Sequence, residues 1–512
     1  MSKFFLVGLV LVFAIFLSRA FFITIPMHQY YDELAGSNRI RTDVVGSPRG
    51  IITDRNGKLI ATNILVDSKV VRHYPDGEVV APVVGYVSDG VGVAGLEKQY
   101  QDDLVGVSGE RIVEETASGK EMNEVSVKPA TPGKEIRLNL DLGLQKVAYR
   151  ALKDRLTITG KAGAVVVSKI NGEILALVSL PSFDPNLFYA NGKRGVEGGV
   201  YSEAKAVVAD EERKPMFNRA ISGNFPPGSV FKIVTALAGL DSGMIDENDT
   251  FEDSGEIKVG IYRFGNWLFD KYGKTEGRIM VTKALARSND IFFYRLGEKM
   301  GIDKLNEYGK KLGLGEKTGI DLPGEASGLL PSPLWMEKEK GTRWFLGDTY
   351  HVSIGQGDLL VTPLQMNRVF AEVVSGKKCA PRLFGKGECT DLKINDGARK
   401  IVMAGMKMVC ESGGTGFPFF DLKGAVLCKT GTAQHGGETS KPHAWMAVVV
   451  PTTESRITNH ELRMEDVDNW VVVMVMLDEA GEGSEQAGPV ARKIVDVILA
   501  RKPASGGKAG IY

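Results

Sequence analysis

The sequence predicts an α/β (α+β) fold in which a five-stranded, mainly antiparallel sheet is flanked by helices. An extended β-rich N-terminal pedestal and one transmembrane helix precede it. Three observations predict this arrangement. One apolar run near the N-terminus, Phe4 to Ile25, is long enough to cross a bilayer. Two strand-like runs meet at Asn171-Gly172 and three more lie between Gly424 and Leu477. Helical apolar periodicity sits before the first pair, after Ser229 and at the C-terminal end.

The apolar run covers 22 positions, and at about 1.5 Å rise per residue it spans a hydrocarbon layer of ~30 Å. Arg19 interrupts it near the C-terminal end, where a long side chain can reach the interface. Ser18-Arg19-Ala20 has the small-x-small form of a signal-peptidase site, so a cleaved signal peptide is the alternative. Apolar sequence resumes at Phe21 to Ile25, which favours an uncleaved anchor. Residues 1–25 are therefore read as cytoplasmic stub and anchor, and residues 26–135 as juxtamembrane segment and pedestal. Residues 136–500 form the main domain, and 501–512, rich in Gly, a flexible tail.

Within the main domain, Leu144, Val147, Ala148, Ala151 and Leu152 share one helical face. Ala164 to Ser168 and Glu173 to Ser179 form a hairpin around Asn171-Gly172. Gly424 to Gln434, Met446 to Val450 and Trp470 to Leu477 complete the strands, the loop Gly436 to Pro442 joins the first two of these, and a helix from about Gln486 to Arg501 closes the chain. Thr362-Pro363-Leu364-Gln365 is a capping box with proline at the first helical position.

Lys and Arg total 63 and Asp and Glu 63, which leaves no electrostatic footprint for nucleic acid. Six scattered histidines and four cysteines lack zinc spacing, and there is no phosphate-binding Gly-Lys loop, so neither metal nor organic cofactor is expected. Cys379 and Cys389 bracket a loop they could bridge. Cys410 and Cys428 are open between a second bridge and buried free thiols.

The chemistry is concentrated in three short strings. Phe225-Pro226-Pro227-Gly228 breaks the chain before Ser229-Val230-Phe231-Lys232, and an apolar helix runs on to Asp241. Ser229 then lies at a helix N-terminus, which favours developing negative charge, and Lys232 lies one turn on. A lysine buried there could lose its proton and activate the serine. Ser202/Lys205, Ser375/Lys378 and Ser505/Lys508 share the spacing, but none opens a long helix after a Pro-Pro-Gly break. Ser288-Asn289-Asp290 is the second string and Lys429-Thr430-Gly431 the third. The latter reads as strand, whereas Lys317-Thr318-Gly319 has loop-forming neighbours on both sides. Alternation puts Lys429 and Gly431 on one face and Cys428, Thr430 and Thr432 on the other, so twist and a bulge would be needed to bring the threonines to a ligand beside Lys429. Gly431 allows a substrate backbone to approach closely.

These strings resemble those of the penicillin-binding proteins, specifically the class B D,D-transpeptidases that crosslink peptidoglycan. The resemblance covers nearly the whole chain. Ser47 to Gly57 (SPRGIITDRNG) is similar to the family's pedestal signature, and Gly95-Leu96-Glu97 and Leu104-Val105-Gly106 resemble further landmarks there. Ile354-Gly355-Gln356-Gly357 followed by Thr362 to Met366 resembles the signature between the second and third strings. Phe292-Phe293-Tyr294, Met300 to Asp303, and Trp344 before Gly347-Asp348-Thr349 are similar to the elongation-type branch, penicillin-binding protein 2.

The resemblance implies the penicillin-binding transpeptidase fold with a dimerisation-type pedestal, and a catalytic set of Ser229, Lys232, Ser288 and Lys429. Ser229 would be the acylated nucleophile and Lys232 its general base. Ser288 would relay a proton to the leaving D-alanine, with Lys429 supporting that relay. Thr430, Gly431 and Thr432 would bind substrate, and the amides of Ser229 and Thr432 would form the oxyanion hole. The second string usually ends in asparagine; Asp290 takes its positioning role here, with Asn289 as a surface residue. Expected ligands are peptidoglycan stem peptides and β-lactam antibiotics. A SEDS-family membrane glycosyltransferase is the implied partner, with the protein a single-pass component of the cytoplasmic (inner) membrane and its catalytic domain outside. The pedestal is short between Asn63 and Tyr74, where the family resembled inserts a head subdomain. Two alternatives stand beside this reading: the same site with water as acceptor (a β-lactamase, β-lactam sensor or D,D-carboxypeptidase), and a non-catalytic cell-wall scaffold.

Overall fold

The computed structural model describes residues 2–37, 40–66, 69–115, 121–188, 200–422, 426–436, 440–452 and 469–500. The expected tail 501–512, the strand lead-in Gly424-Ala425 and the middle of the loop after the third string lie outside these residues.

The chain divides into two compact units. The first takes in residues 1–51, 63–70 and 102–135. Its N-terminal helix, Ser2–Thr24, contains a stretch, Lys3–Thr24, long and apolar enough to cross a membrane. An antiparallel three-stranded sheet follows in the order 40–45, 109–115, 121–128, laced on its surface by Arg41 and Arg111 paired with Asp43, Glu115, Glu121 and Glu124.

The second unit takes in residues 52–62, 71–101 and everything from 136 on. Its five-stranded sheet runs Ile174–Leu180, Ala162–Lys169, Trp470–Asp478, His443–Pro451, Leu427–Ala433, every neighbour antiparallel. The first hairpin turns at Asn171-Gly172: Gly172 has φ 90°, a conformation that favours glycine, and the Asn171 side chain accepts from Glu173 N–H at 3.1 Å.

One face of the sheet is apolar. Leu144, Ala148 and Leu152 of the helix Leu142–Thr159 and Val490, Ile494 and Ile498 of the closing helix Gly483–Ala500 pack there on Val165, Val178, Met446, Val448 and Val473. Asp141 caps the first of these helices, accepting from Leu144 N–H at 2.9 Å. Asp54, fully buried, accepts from the N–H groups of Asn56, Lys58 and Leu142, which joins the turn at Asn56-Gly57 to that helix start. The opposite face carries the helix Pro363–Ser375, where Asn367 Nδ2 donates to the carbonyls of Val166 and Val472. The capping box forms as the sequence predicts, with Thr362 N–H donating to Gln365 Oε1 and Gln365 N–H to Thr362 Oγ1.

All four cysteines are bonded, Cys379 to Cys389 and Cys410 to Cys428. The free-thiol alternative for the second pair is thereby corrected. Cys410 ends the helix Asp396–Val409, which packs on the sheet face that Cys428 projects from, so the two sulfurs meet in the core.

Candidate active site

The lysine strand Leu427–Ala433 is an edge strand, so one side of its backbone is unpaired within the sheet. Its register against His443–Pro451 is unbroken from Leu427↔Val449 to Ala433↔His443. No bulge forms, and simple alternation therefore holds: Lys429, Gly431 and Ala433 face one way, Cys428, Thr430 and Thr432 the other.

The nucleophile turn packs on the first of these faces. Gly228–Phe231 is a 3-10 turn and the α-helix proper is Lys232–Asp241. Gly228 has φ 56°, and a Cβ there would lie 2.8 Å from the carbonyl oxygen of Thr432. A Cβ on Gly431 would come to 3.0 Å from Pro227 O and Val230 Cγ1. Glycine at both positions lets turn and strand touch backbone to backbone. Trp445, fully buried on the neighbouring strand, donates its indole N–H to Pro226 O at 3.0 Å. Ser229 is partly exposed, and its hydroxyl makes no hydrogen bond to any described residue.

Two lysines meet around a second serine. Ser288 ends the helix Val281–Arg287 with left-handed backbone, φ 53°. Lys429 Nζ donates to its hydroxyl at 3.0 Å and to Thr430 O at 3.1 Å. Lys232 Nζ donates to Ser288 O at 2.8 Å, lies 3.4 Å from Ser288 Oγ, and pairs with Asp290 Oδ1 at 2.7 Å. Both lysines are fully buried. Burial lowers Lys232 from the ordinary lysine range, opposed by the Asp290 carboxylate. Burial, and then the neighbouring Lys232 charge, push Lys429 well below it.

Asn289 corrects the sequence reading. It is 1% exposed, not a surface residue. Its side chain caps the helix Asp290–Lys311 by accepting from Phe292 N–H at 2.9 Å, while its amide donates to Asp253 Oδ2 at 2.8 Å. Asp253 Oδ2 also accepts from Asn266 Nδ2 and Glu276 N–H, so this carboxylate anchors the loop that presents Ser288. Asp290 is aimed at Lys232, its second oxygen receiving Trp267 N–H at 3.4 Å.

The threonines lie on the face away from Lys429. Thr430 Oγ1 is 2.8 Å from Thr415 Oγ1, and Thr432 Oγ1 donates to Glu482 Oε2 at 2.8 Å. Glu482 in turn pairs with Lys271 at 2.6 Å. The backbone of Thr432 does face the cleft. Its carbonyl accepts from Gln356 Nε2 at 3.3 Å, and in an antiparallel strand the N–H and C=O of one residue leave on the same side. Its amide therefore points off the free edge.

Gln356 and Gly355 entered the sequence reading only as part of a family string. In the structure they clamp the site. Gly228 N–H donates to Gly355 O at 2.8 Å, and a Cβ on Gly355 would fall 2.1 Å from Gly228 O. Thr235 Oγ1 donates to Ser353 O at 2.7 Å, which fixes the same segment to the nucleophile helix. The positive φ required at Gly355 is the kind of signal a Gly-x-Gly string carries. By contrast, Lys317-Thr318-Gly319 lies in a loop, where Thr318 N–H and hydroxyl bind Glu325.

A buried lysine pair sharing one serine hydroxyl, an edge-strand amide and, on the adjoining turn, a partly exposed serine are groups from which an acyl-transfer site without histidine can be built. The family model for the penicillin binding protein transpeptidase domain matches residues 162–496, and the model for the penicillin-binding protein dimerisation domain matches residues 62–138. The peptidoglycan D,D-transpeptidase MrdA of Acinetobacter baumannii is 36% identical over 324 residues, covering 59% of this chain and 46% of that protein. The protein of the same name from Escherichia coli K12 is 31% identical over 475 residues, covering 84% of this chain and 71% of that one. The chain thus spans under half of the first relative and over two thirds of the second. Among solved structures, Pseudomonas aeruginosa PBP2 in complex with WCK 5153 superposes with TM-score 0.73 at 30% identity, covering 90% of this chain and 97% of that chain. A chain of a peptidoglycan synthase complex that coordinates polymerization and crosslinking gives TM-score 0.77 at 27% identity, covering 98% and 99%.

Proposed function

The chain belongs to the penicillin-binding protein family, with its transpeptidase domain, and from that premise we propose that it crosslinks peptidoglycan stem peptides through an acyl-enzyme on Ser229. The observation that carries this reading is the meeting of Lys232, Ser288 and Lys429 beside the turn that holds Ser229.

In the proposed reaction, neutral Lys232 takes the proton of Ser229 as Oγ attacks the carbonyl carbon of the penultimate D-alanine. Burial makes the neutral amine accessible, and Asp290 keeps its proton affinity from falling too far. The oxyanion is held by the amides of Ser229 and Thr432, each donor worth roughly 3–4 kcal/mol in comparable sites. Collapse breaks the C–N bond. Ser288 passes a proton to the departing D-alanine nitrogen and is reprotonated from the lysine pair. An amine of a neighbouring stem then attacks the ester, returns its proton along the same path, and frees Ser229. Gly431 holds the nucleophile turn against the strand, its side-chain space being taken by Pro227 and Val230, so its part in substrate binding is to set the position of Ser229. Thr430 and Thr432 serve the substrate carboxylate once their hydroxyls turn from Thr415 and Glu482. β-Lactams acylate the same serine.

The division into anchor (1–25), pedestal (26–135), transpeptidase domain (136–500) and tail (501–512) is part of this proposal. So is the orientation, with the N-terminus in the cytoplasm and the catalytic unit outside. Two disulfides support an oxidising compartment for that unit. A SEDS-family glycosyltransferase is the proposed membrane partner, supported by the likeness to a chain of a peptidoglycan synthase complex.

Mass spectrometry of the intact protein after treatment with penicillin tests the reading. The expected result is one adduct, mapped to Ser229, persisting for many minutes and absent from Ser229→Ala. Lack of an adduct overturns it. Adduct loss within seconds assigns water as the acceptor.

A further inference from the structure

The geometry points to a zinc-type divalent metal site formed by His435, His443 and Asp478 at the end of the catalytic strand. One ring nitrogen of each histidine and a carboxylate oxygen of Asp478 lie within 4.8 Å of one another. The three residues come from three elements that meet at one end of the sheet. His435 follows the lysine strand, His443 opens the next, and Asp478 closes the central strand Trp470–Asp478.

The two imidazoles stack, with centroids 4.0 Å apart and planes at 15°, so one ring turns about its side-chain bonds for both to bind one ion. His443 Nδ1 lies 2.9 Å from Asp478 Oδ1 and accepts from Glu479 N–H at 3.3 Å. One feature favours a bound cation over a simple hydrogen-bonded cluster. His435 Nε2 is buried, yet among the described residues it has no hydrogen-bond partner. A buried nitrogen left in that state bears a desolvation cost that a metal bond would remove. It lies 3.6 Å from Glu479 Oε1, a candidate fourth ligand. Two carboxylates, Asp478 and Glu479, offset the ion's charge, while Lys161 pairs with Glu479. Two imidazole nitrogens with one or two carboxylate oxygens make a donor set that suits zinc.

Such an ion would fasten the turn between the lysine strand and its neighbour to the central strand, three residues beyond Thr432. His443 also meets the ring of Phe225 edge-on at 5.4 Å, four residues before Ser229. The site is a clamp next to the cleft, outside the catalytic set.

The test uses the full-length protein in detergent, stripped with a chelator and titrated with zinc chloride against a chromophoric competitor, with metal content read independently. Expected is one zinc per chain at sub-micromolar affinity, with Tm raised by a few degrees. His435→Gln, which changes only a loop residue, and His443→Ala should each weaken binding by about 100-fold, and Asp478→Asn by about 10-fold. Acylation of Ser229 by penicillin in the same samples reports that the variants are folded. Absence of stoichiometric binding at tens of micromolar zinc, or binding that survives the paired change of both histidines, overturns the proposal.

Discussion

Lys429 Nζ donates to Ser288 Oγ at 3.0 Å, joining an edge strand to a loop 141 residues earlier in the chain. Both groups are buried, and a second lysine, Lys232, has its Nζ 3.4 Å from the same hydroxyl. Two lysines sharing one serine fix the electrostatics of the cleft.

Lys429→Met should separate function from stability. The folded-state proton affinity of Lys429 lies well below that of an unfolded lysine. Between the two values the unfolded chain binds the extra proton, so stability rises with pH there, and below the folded value the buried charge carries its full cost. Removing the amine should therefore raise Tm at neutral pH by about 2 °C or more, for a gain near 1 kcal/mol. Acylation by penicillin should fall by about 100-fold or more. Thermal unfolding and stopped-flow acylation of the same sample check both halves.

Asp290→Asn should move the pH profile. The carboxylate favours the protonated form of Lys232, so removing it lowers the lysine further. More neutral amine is then present at a given acidic pH. The acid limb of the acylation rate should shift to lower pH, as measured by second-order acylation rates across the acid range. An unchanged limb would exclude Lys232 as the titrating base.

Glu482 competes for the hydroxyl of Thr432. Glu482→Ala should free that donor and remove a negative charge from the approach of an anionic ligand, speeding acylation about 5-fold, in line with one hydrogen bond. Thr432→Val should slow it by a similar factor. Rates at low ionic strength decide the matter.

Gly355→Ala should damage the site without unfolding the domain. A Cβ at 2.1 Å from Gly228 O must push the nucleophile turn away, and φ 79° adds strain. Displacement near 1 Å costs about 100-fold in comparable sites. Acylation rate alongside Tm separates misplacement from global loss.

Opening the Cys410–Cys428 bridge, which closes an 18-residue separation beside Lys429, should cost about 3 kcal/mol. A Cys410→Ser, Cys428→Ser pair measured by denaturant titration checks this.

Much of the site was legible because its parts are local. Pro-Pro-Gly before Ser229, the asparagine-glycine turn and the Thr362 capping box each act within a few residues, and period-2 alternation assigned the faces of the lysine strand. Asn289 was misread because its burial depends on Asp253, 36 residues away. The choice between a bridge and free thiols at Cys410 and Cys428 stayed open for the same reason: only packing of the helix Asp396–Val409 on the sheet brings the sulfurs together.

The sequence by itself determined the elements, the nucleophile with its lysine, and the family, since each is written in short-range periodicity, backbone breaks and contiguous strings. Tertiary structure alone decided which distant side chains face each other. It set the lysine pair on Ser288, the carboxylate of Asp290 on Lys232, Gln356 on the strand edge, and the His435–His443–Asp478 cluster. Those encounters depend on sheet order and register, which align residues hundreds of positions apart and leave no local trace in the chain.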